Sequence, residues 1–551
     1  MEDYRLPEKA DYFRARGYWK GDTIVDYLSR SAEQFPNKIG VVDSYTRLTW
    51  KEVEEQAQAL ALHLLEMGIA PHDRVLVQLP NWHEFVIAYC GINALGAIPV
   101  VINPVLRDGE ASFILRHSGA SAVIVPAEFG GFNYVDMVGR IKPEIPLVRQ
   151  VIVVDHGGRQ WPGMVNFRDL VKRDTLDRYD KDYLLPYRPQ GDDIDSILYT
   201  SGTMGSPKGV VTTHNIHDYS NKTFCLETCI TKDDGLFPLS PLSFQFTITQ
   251  GLYSAVYSGA KLVIREKFDG EIAIQTIKDE NCTFLFGPPP FLMGILDAAS
   301  ASRREVTGVR TYFCGGSHLP PEVVRKAKEV LKCQLINGYG LTETACALMT
   351  RLGDTDEVVV NSAGKPFPPA MEAKIVDDGG REVNPGETGE IMFRGPSVTT
   401  GYFRNPAADA AAFTADGWFK SGDLVEKRRD GNITIVGRKK DMIKRGGISI
   451  YPEEVEDLLL QHPKINRCAM VGMPDERLAE RNCLFVVPRP GVEICLDEIT
   501  SYLDQEKRIA KYKLPERLEL VAVLPLTPTG KILKRELRDI IIRKLAEEKK
   551  P

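Results

Sequence analysis

Apolar positions in the first part of the chain recur at two spacings. Val53, Ala57, Leu60 and Leu64 fall three and four residues apart and share one helical face. Thr49 and Glu52 stand just ahead as a capping-box pair, and Gly68 suits the helix stop. RVLVQL, from Arg74, is a continuous apolar run and predicts a buried strand. The longest apolar stretch, FVIAYCGINALGAIPVVI from Phe85 to Ile102, is broken by Gly91, Asn93, Gly96 and Pro99. It predicts a buried helix followed by a strand, IPVVI, and not a membrane span. SAVIV, from Ser121, is a further strand. Strands alternating with helices predict a largely parallel sheet covered on both faces.

Between about Ala370 and Val436 the pattern changes. Short runs such as EIMFRG and NITIVG lie between Gly, Pro and Asp turns, which predicts antiparallel or barrel-like structure. GRKKDMIKRGG, from Gly437, is charged and has no apolar period, so it reads as an inter-domain linker. Beyond it YPEEVEDLLL predicts a helix, and RCAMVGM and CLFVVP predict strands. The tail KILKRELRDIIIRKL predicts an amphipathic helix whose charges, Lys534 and Arg535 among them, form a solvated face. A chain of 551 residues is too long for one core. The expected fold class is α/β: a large N-terminal domain of layered sheets with a small β-barrel, then a small α+β domain. No internal repeat or low-complexity tract stands out.

Composition narrows the partners. Charged residues are 26% of the chain and the net charge is -6, which gives no basic face for nucleic acid. The ten cysteines show no CxxC spacing. Cys225 and Cys229 are spaced i,i+4, but no His or Cys cluster completes a metal site. Unpaired thiols fit a reducing, cytoplasmic setting, and MEDYRLPEKA does not read as a signal peptide.

The candidate chemistry begins at YTSGTMGSPKGV, from Tyr199 to Val210, directly after an apolar run. Glycines let backbone N–H groups approach an anion, hydroxyls add donors and Lys208 adds charge. Pro207 precedes the lysine and Gly209 follows it, so neither a Walker A loop nor a GxGxxG turn fits. A plain surface loop stays open on these residues alone.

Four later segments accompany that loop: YGLTET from Tyr339, SGDL from Ser421, GRKKDMIKRGG from Gly437 and PLTPTGKILKREL from Pro525. In this order and spacing the five resemble the acyl-adenylate-forming superfamily. That family includes acyl- and aryl-CoA ligases, peptide-synthetase adenylation domains and firefly-type luciferases. The resemblance covers essentially the whole chain. It implies an AMP-binding and acyl-pocket domain over residues 1–439 and a mobile C-terminal domain over 440–551. It also implies ATP, Mg²⁺ and coenzyme A. A carboxylic acid attacks the α-phosphate of ATP, and the acyl-adenylate then passes to a thiol.

By this resemblance the loop from Thr200 through Ser201, Gly202 and Thr203 to Lys208 cradles the β- and γ-phosphates. Thr342 contacts the α-phosphate and Glu343 holds Mg²⁺. Tyr339 lies against the adenine, with Gly338 and Gly340 allowing close approach. Gly316 and Ser317 of FCGGSHLPPE form the other side of the adenine pocket. Asp423 and Arg438 reach the ribose. Lys531 bridges the attacking carboxylate and the phosphate. Lys440, where many relatives carry Asp, is the hinge. Rotation about it replaces Lys531 with Arg445, Gly446 and Gly447, which line the tunnel for the thiol.

SPLSFQFTITQGLY, from Ser240, matches the family's acyl-pocket segment and supplies Phe244, Gln245, Phe246 and Thr249. Relatives commonly carry His at Phe244 as a gate to the thiol tunnel. Amino-acid-activating relatives place Asp near Gln245, so a neutral Gln245 argues against a substrate ammonium. NWHEF near Asn81 and FGGFNYVDM near Phe129 look nearest to the aryl-acid, 2,3-dihydroxybenzoate-AMP ligase-like branch. That branch carries His-Asn where this chain has Phe244-Gln245. Phe244, Phe246, Ile248 and Tyr253 suit an apolar acid: aromatic, alicyclic or medium-chain. The expected activity is acid–CoA ligation on a small-molecule acid. An aryl-acid ligase that loads a carrier protein is the same-class alternative, and a silent nucleotide-binding regulator the other. Lys531, Glu343 and Asp423 speak against the regulator. A homodimer is left open.

Overall fold

In the computed structural model, which describes residues 9–200, 207–316, 319–446, 448–527 and 531–548, the first predicted helix spans Trp50–Glu66. Thr49 Oγ1 accepts from the Glu52 amide at 3.2 Å, and the Glu52 carboxylate accepts from the Thr49 amide at 2.7 Å. Val53, Ala57, Leu60 and Leu64 are buried. Gly68 ends the turn at φ +79°. The apolar stretch from Phe85 divides as its breakers predict, into the helix His83–Ala94 and the strand Ile98–Val101.

Two large sheets form the first compact unit. The seven-stranded sheet runs Lys208–Thr213, Ile194–Thr200, Ile98–Val101, Arg74–Val77, Ala122–Pro126, Gln150–Val154 and Val165–Asn166. Its strands pair in parallel except for the hairpin of the first two. The nine-stranded sheet carries Gly235–Pro238, Phe284–Gly287, Thr311–Gly315 and Gln334–Leu341 as parallel neighbours at its centre. Parallel strands expose a row of carboxyl ends along one edge, the usual position for ligands in open α/β sheets. The loops predicted to bind nucleotide leave from such ends.

The second compact unit takes 361–363, 373–392 and 420–551. Its first sheet orders Glu372–Val376, Thr388–Arg394, Phe419–Lys427 and Ile433–Arg438. The outer strands are not paired with each other among the described residues, so the expected barrel is an open four-stranded sheet. The division differs from 439/440 because Ile433–Arg438 also packs on the helix Pro452–Leu459. A Cβ at Gly437 would lie 2.7 Å from Glu453 Oε2. The charged stretch read as a linker is partly sheet: Ile443–Arg445 pairs with Ile448–Ile450, and Ile443 is fully buried.

Lys534 corrects the reading of the tail as a solvated face. Its side chain is 10% exposed, with Nζ 2.8 Å from Glu456 and 3.1 Å from Glu453. It pins the final helix, Lys534–Glu548, to Pro452–Leu459. Replacing one member of a buried ion pair strands the other charge at about 3–5 kcal/mol. Lys534→Met should therefore destabilise the C-terminal unit by that amount in urea unfolding of the full chain. Lys534→Met with Glu456→Gln should recover part of the loss. A change within about 0.5 kcal/mol is the surface outcome and would restore the solvated reading.

Candidate active site

The glycine-bearing loop closes a hairpin. Thr200 pairs with Lys208 and Tyr199 with Gly209, so the strands are in register up to the loop's two ends. Ser201, Gly202 and Thr203 lie outside the described residues. The returning strand is bonded along its other edge to 401–403: Val211 N donates to Gly401 O at 3.0 Å and Phe403 N to Gly209 O at 2.7 Å. The same segment reaches YGLTET. Thr399 N donates to Glu343 O at 2.7 Å, and the Tyr402 hydroxyl donates to Glu343 Oε1 at 2.7 Å. Lys208 Nζ lies 4.9 Å from the Tyr402 ring centroid. Lys208 and Glu343 thus both contact one buried tyrosine, the first at its ring and the second at its hydroxyl. Burial, and then the Glu343 carboxylate, push the Tyr402 hydroxyl far above the usual phenol range. Sequence reasoning missed Thr399 and Tyr402. The signal was Thr-Thr-Gly-Tyr, a second hydroxyl- and glycine-bearing run.

The two segments expected to flank adenine are neighbours through sheet register. Gly315 pairs with Gly338, and Gly316 follows at φ +93°. Ser317 lies outside the described residues. A Cβ at Gly338 would sit 2.3 Å from the Phe313 ring, and one at Gly340 1.8 Å from Ala345 O. Glycine is required at both by backbone or ring contact. Tyr339 stacks on Phe393 with ring centroids 5.9 Å apart. Thr342 and Glu343 are half-buried.

The acyl segment packs beside these strands. Phe246 stacks on Phe313 at 5.5 Å and meets Phe286 edge-on at 5.8 Å. Gln245–Thr247 is a short helix that widens into a π-helical turn, Ile248–Tyr253, a local widening that often accompanies function. Phe244 is half-buried at its start. Asn81 of NWHEF clamps the segment's entry, donating to Ser240 O at 3.2 Å and accepting from Leu242 N at 2.7 Å. Phe129 of FGGFNYVDM packs edge-on against Trp82 at 5.8 Å. The two stretches singled out by likeness are therefore in contact.

Beneath Gln245 lies a polar network that sequence reasoning missed. Gln245 Nε2 is 2.9 Å from His217 Nε2 and donates to Thr249 Oγ1 at 3.2 Å. His217 Nδ1 lies 2.8 Å from Asp195 Oδ2, and His214 Nδ1 lies 3.2 Å from Asp195 Oδ1. Tyr89 donates its hydroxyl to Asp195, and Tyr253 does so at 2.5 Å. Asp195, His214 and His217 are all fully buried. Burial alone would raise the Asp195 carboxyl. The two imidazoles and the Tyr253 hydroxyl outweigh it and hold the group below the usual carboxylate range. Burial lowers His214. Two of the chain's nine histidines within four residues, and a carboxylate inside a buried strand, were the available signals.

The remaining predicted residues belong to the second unit. Asp423 is buried, pairs in register with Arg438 and lies 3.2 Å from its Nε. Lys531 N donates to Thr527 Oγ1 at 3.0 Å. Burial, then the Arg438 charge, bring the Lys531 ammonium down to about 8, with Asp423 opposing and Lys440 adding to the drop. Burial and Arg438 also lower Lys440. Arg445 is held by Glu516 through two 3.0 Å bonds, and Gly446 adopts φ +57°. Gly447 lies outside the described residues. The structure thus gathers Asp423, Arg438, Lys440 and Lys531 in one unit and Lys208, Gly338, Tyr339, Gly340 and Glu343 in the other. No described helix is long and apolar enough to cross a membrane.

Comparison with known proteins accords with this arrangement. Residues 28–403 match the AMP-binding enzyme family, and 454–531 match the AMP-binding enzyme C-terminal domain. The chain is 33% identical over 540 residues to 2,3-dihydroxybenzoate-AMP ligase of Bacillus subtilis (strain 168), covering 98% of this chain and 97% of that protein. It is 32% identical over 538 residues to medium-chain fatty-acid–CoA ligase of Escherichia coli (strain K12), covering 97% and 93%. Among solved structures, the anthranilate CoA ligase AuaEII in complex with anthranoyl-AMP superposes with a TM-score of 0.85 at 27% identity, covering 96% of this chain and 98% of that one. The chain belongs to the AMP-binding enzyme family, and so to the acyl-adenylate-forming superfamily of ligases.

Proposed function

We propose that the protein activates an aryl carboxylic acid with ATP and passes the acyl group to coenzyme A. In the first step a carboxylate oxygen bonds to the α-phosphorus and the bond to pyrophosphate breaks. In the second the thiolate attacks the acyl carbon and AMP leaves. The observation that carries this reading is Lys531, part-buried beside Arg438 with its ammonium brought down to about 8. Burial and neighbouring cations outweigh the one opposing carboxylate, Asp423, so the ammonium gains from a further anion, and a carboxylate–phosphate pair supplies one.

In this reading the loop from Thr200 to Lys208 grips the β- and γ-phosphates and Thr342 the α-phosphate. Tyr339 covers the adenine, and Asp423 and Arg438 hold the ribose. The Glu343 carboxylate, oriented by Tyr402, is a hard oxygen donor of the type Mg²⁺ takes alongside phosphate oxygens. Mg²⁺ bound there would offset phosphate charge. Lys440 is the hinge that exchanges Lys531 for Arg445, Gly446 and Gly447. Phe244 gates the thiol.

The acid follows from the pocket wall. Phe246, stacked on Phe313 and edge-on to Phe286, offers an aromatic wall. Gln245 is not an isolated amide, because it is tied to His217, and its Oε1 is buried without a hydrogen-bond partner. That weighs against the wholly apolar acid expected from sequence and toward a substituted ring. The relatives named for dihydroxybenzoate and anthranilate lean the same way.

Lys531→Ala should slow adenylation, read by pyrophosphate exchange, by about 10²- to 10³-fold. Thioester formation from supplied acyl-adenylate should survive. An equal loss in both steps would rule out a two-conformation cycle.

The lysine acts as a cation, and its protonated fraction falls as pH rises. Adenylation should therefore decline above about pH 8, while Lys531→Arg should lose that limb. A flat wild-type profile to pH 9.5 is the contrary result.

Lys440→Pro, by fixing φ, should spare adenylation and abolish thioester formation. Unchanged overall turnover would remove Lys440 from the mechanism. AMP release measured over a panel of acids, with and without CoA, tests the acceptor. CoA inert while a phosphopantetheinylated carrier is acylated would overturn the ligase assignment.

A further inference from the structure

We infer that the buried pair Asp195–His217 fixes which way the Gln245 amide faces, so that the acyl pocket presents a carbonyl oxygen and selects ring acids bearing an O–H or N–H. This rests on Gln245 lining the acyl pocket, as proposed above.

The chain of constraint starts at Asp195. Its Oδ1 faces His214 Nδ1 and the Tyr253 hydroxyl, and its Oδ2 faces His217 Nδ1 and the Tyr89 hydroxyl. The two hydroxyls donate to the carboxylate. His217 Nδ1 makes a close contact with it and not an aligned hydrogen bond, but a nitrogen 2.8 Å from a carboxylate oxygen carries the proton, because two lone pairs at that distance repel. With that proton on Nδ1, an imidazole carrying a single proton offers a lone pair at Nε2. The group 2.9 Å away must then be an N–H, and Gln245 Nε2 stands there. The second amide hydrogen is given to Thr249 Oγ1. Both hydrogens are used, and Oε1 is left over, buried and without a hydrogen-bond partner.

The identity of the leftover atom decides the substrate. A buried carbonyl without a partner is costly, and a ligand hydroxyl or amino group removes that cost. An unsubstituted ring leaves the carbonyl unpaired, and an ether or fluoro substituent faces it lone pair to lone pair. Were His217 doubly protonated, the amide would turn over and present its NH₂ group, and the preference would invert. Asp195 and His217 never touch the acid in this scheme. They are positioning residues acting through Gln245.

The test compares kcat/KM in pyrophosphate exchange for 2-hydroxybenzoate and 2-aminobenzoate against benzoate and 2-methoxybenzoate. Wild type should favour the donor-bearing acids by about tenfold or more. Gln245→Met and Asp195→Asn should each bring that ratio to within about threefold. In the full chain, ¹⁵N NMR should show His217 protonated at Nδ1 and bare at Nε2. A loss of ratio in Gln245→Met with no loss in a folded Asp195→Asn would overturn the relay and keep the pocket reading. Unchanged kinetics on every acid in Gln245→Met would overturn both. If Asp195→Asn fails to fold, the wild-type imidazole decides: a proton on Nε2 at pH 7 overturns the proposal, and a bare Nε2 with a collapsed Gln245→Met ratio sustains it.

Discussion

A single buried charge organises the first unit. Asp195 lies in the strand Ile194–Thr200, which delivers the glycine-bearing loop. Its carboxylate receives His214 and His217 from the helix His214–Thr228, which begins as the returning strand ends. It also receives Tyr89 from the helix His83–Ala94 and Tyr253 from the acyl segment. Four elements therefore converge on one anion, and removing any donor leaves charge less well paired in a dry interior. The strand before the glycine-bearing loop, the helix that follows the returning strand and the segment from Ser240 cannot shift independently while that carboxylate stays satisfied.

The second unit uses charge in the opposite way. Asp195 is ringed by groups that favour its charge, whereas burial, then Arg438 and Lys440, disfavour the Lys531 ammonium against the one opposing carboxylate, Asp423. Such a cation is held at a cost that an incoming anion relieves. A site that binds charge developing during reaction gains more from this than one neutralised in advance. Lys534, three residues on, shows the neutralised case. It has two glutamates and a structural role.

Much of this was legible in the sequence because it is local. The 50–66 helix follows from spacing and a capping box, and the nucleotide segments from short motifs whose glycines answer to close contacts, as at Gly338 and Gly340. What was not legible depends on partners brought together by sheet order. Lys534 reads as solvated until the helix Pro452–Leu459 lies beside it. Asp195 reads as one acid in DDIDS until two histidines, separated from it by the whole glycine-bearing loop, return to face it. The barrel-like strands had the right period, but period does not say whether a sheet closes. Tyr402 joins Lys208 to Glu343 across segments with no common motif.

The same network accounts for the neutrality of position 245. The nearest group to Gln245 is an imidazole whose other nitrogen already faces a carboxylate. An acid at 245 would put a second negative charge into the same buried cluster, a few ångströms from the first. A further cation, such as a substrate ammonium, or protonation of one of the acids would be needed to balance it. With Asp195 in place, an amide is the polar group that both satisfies His217 and still offers something to a ligand. The neutral side chain at 245 thus answers to a carboxylate one imidazole away, in the strand that leads to the glycine-bearing loop.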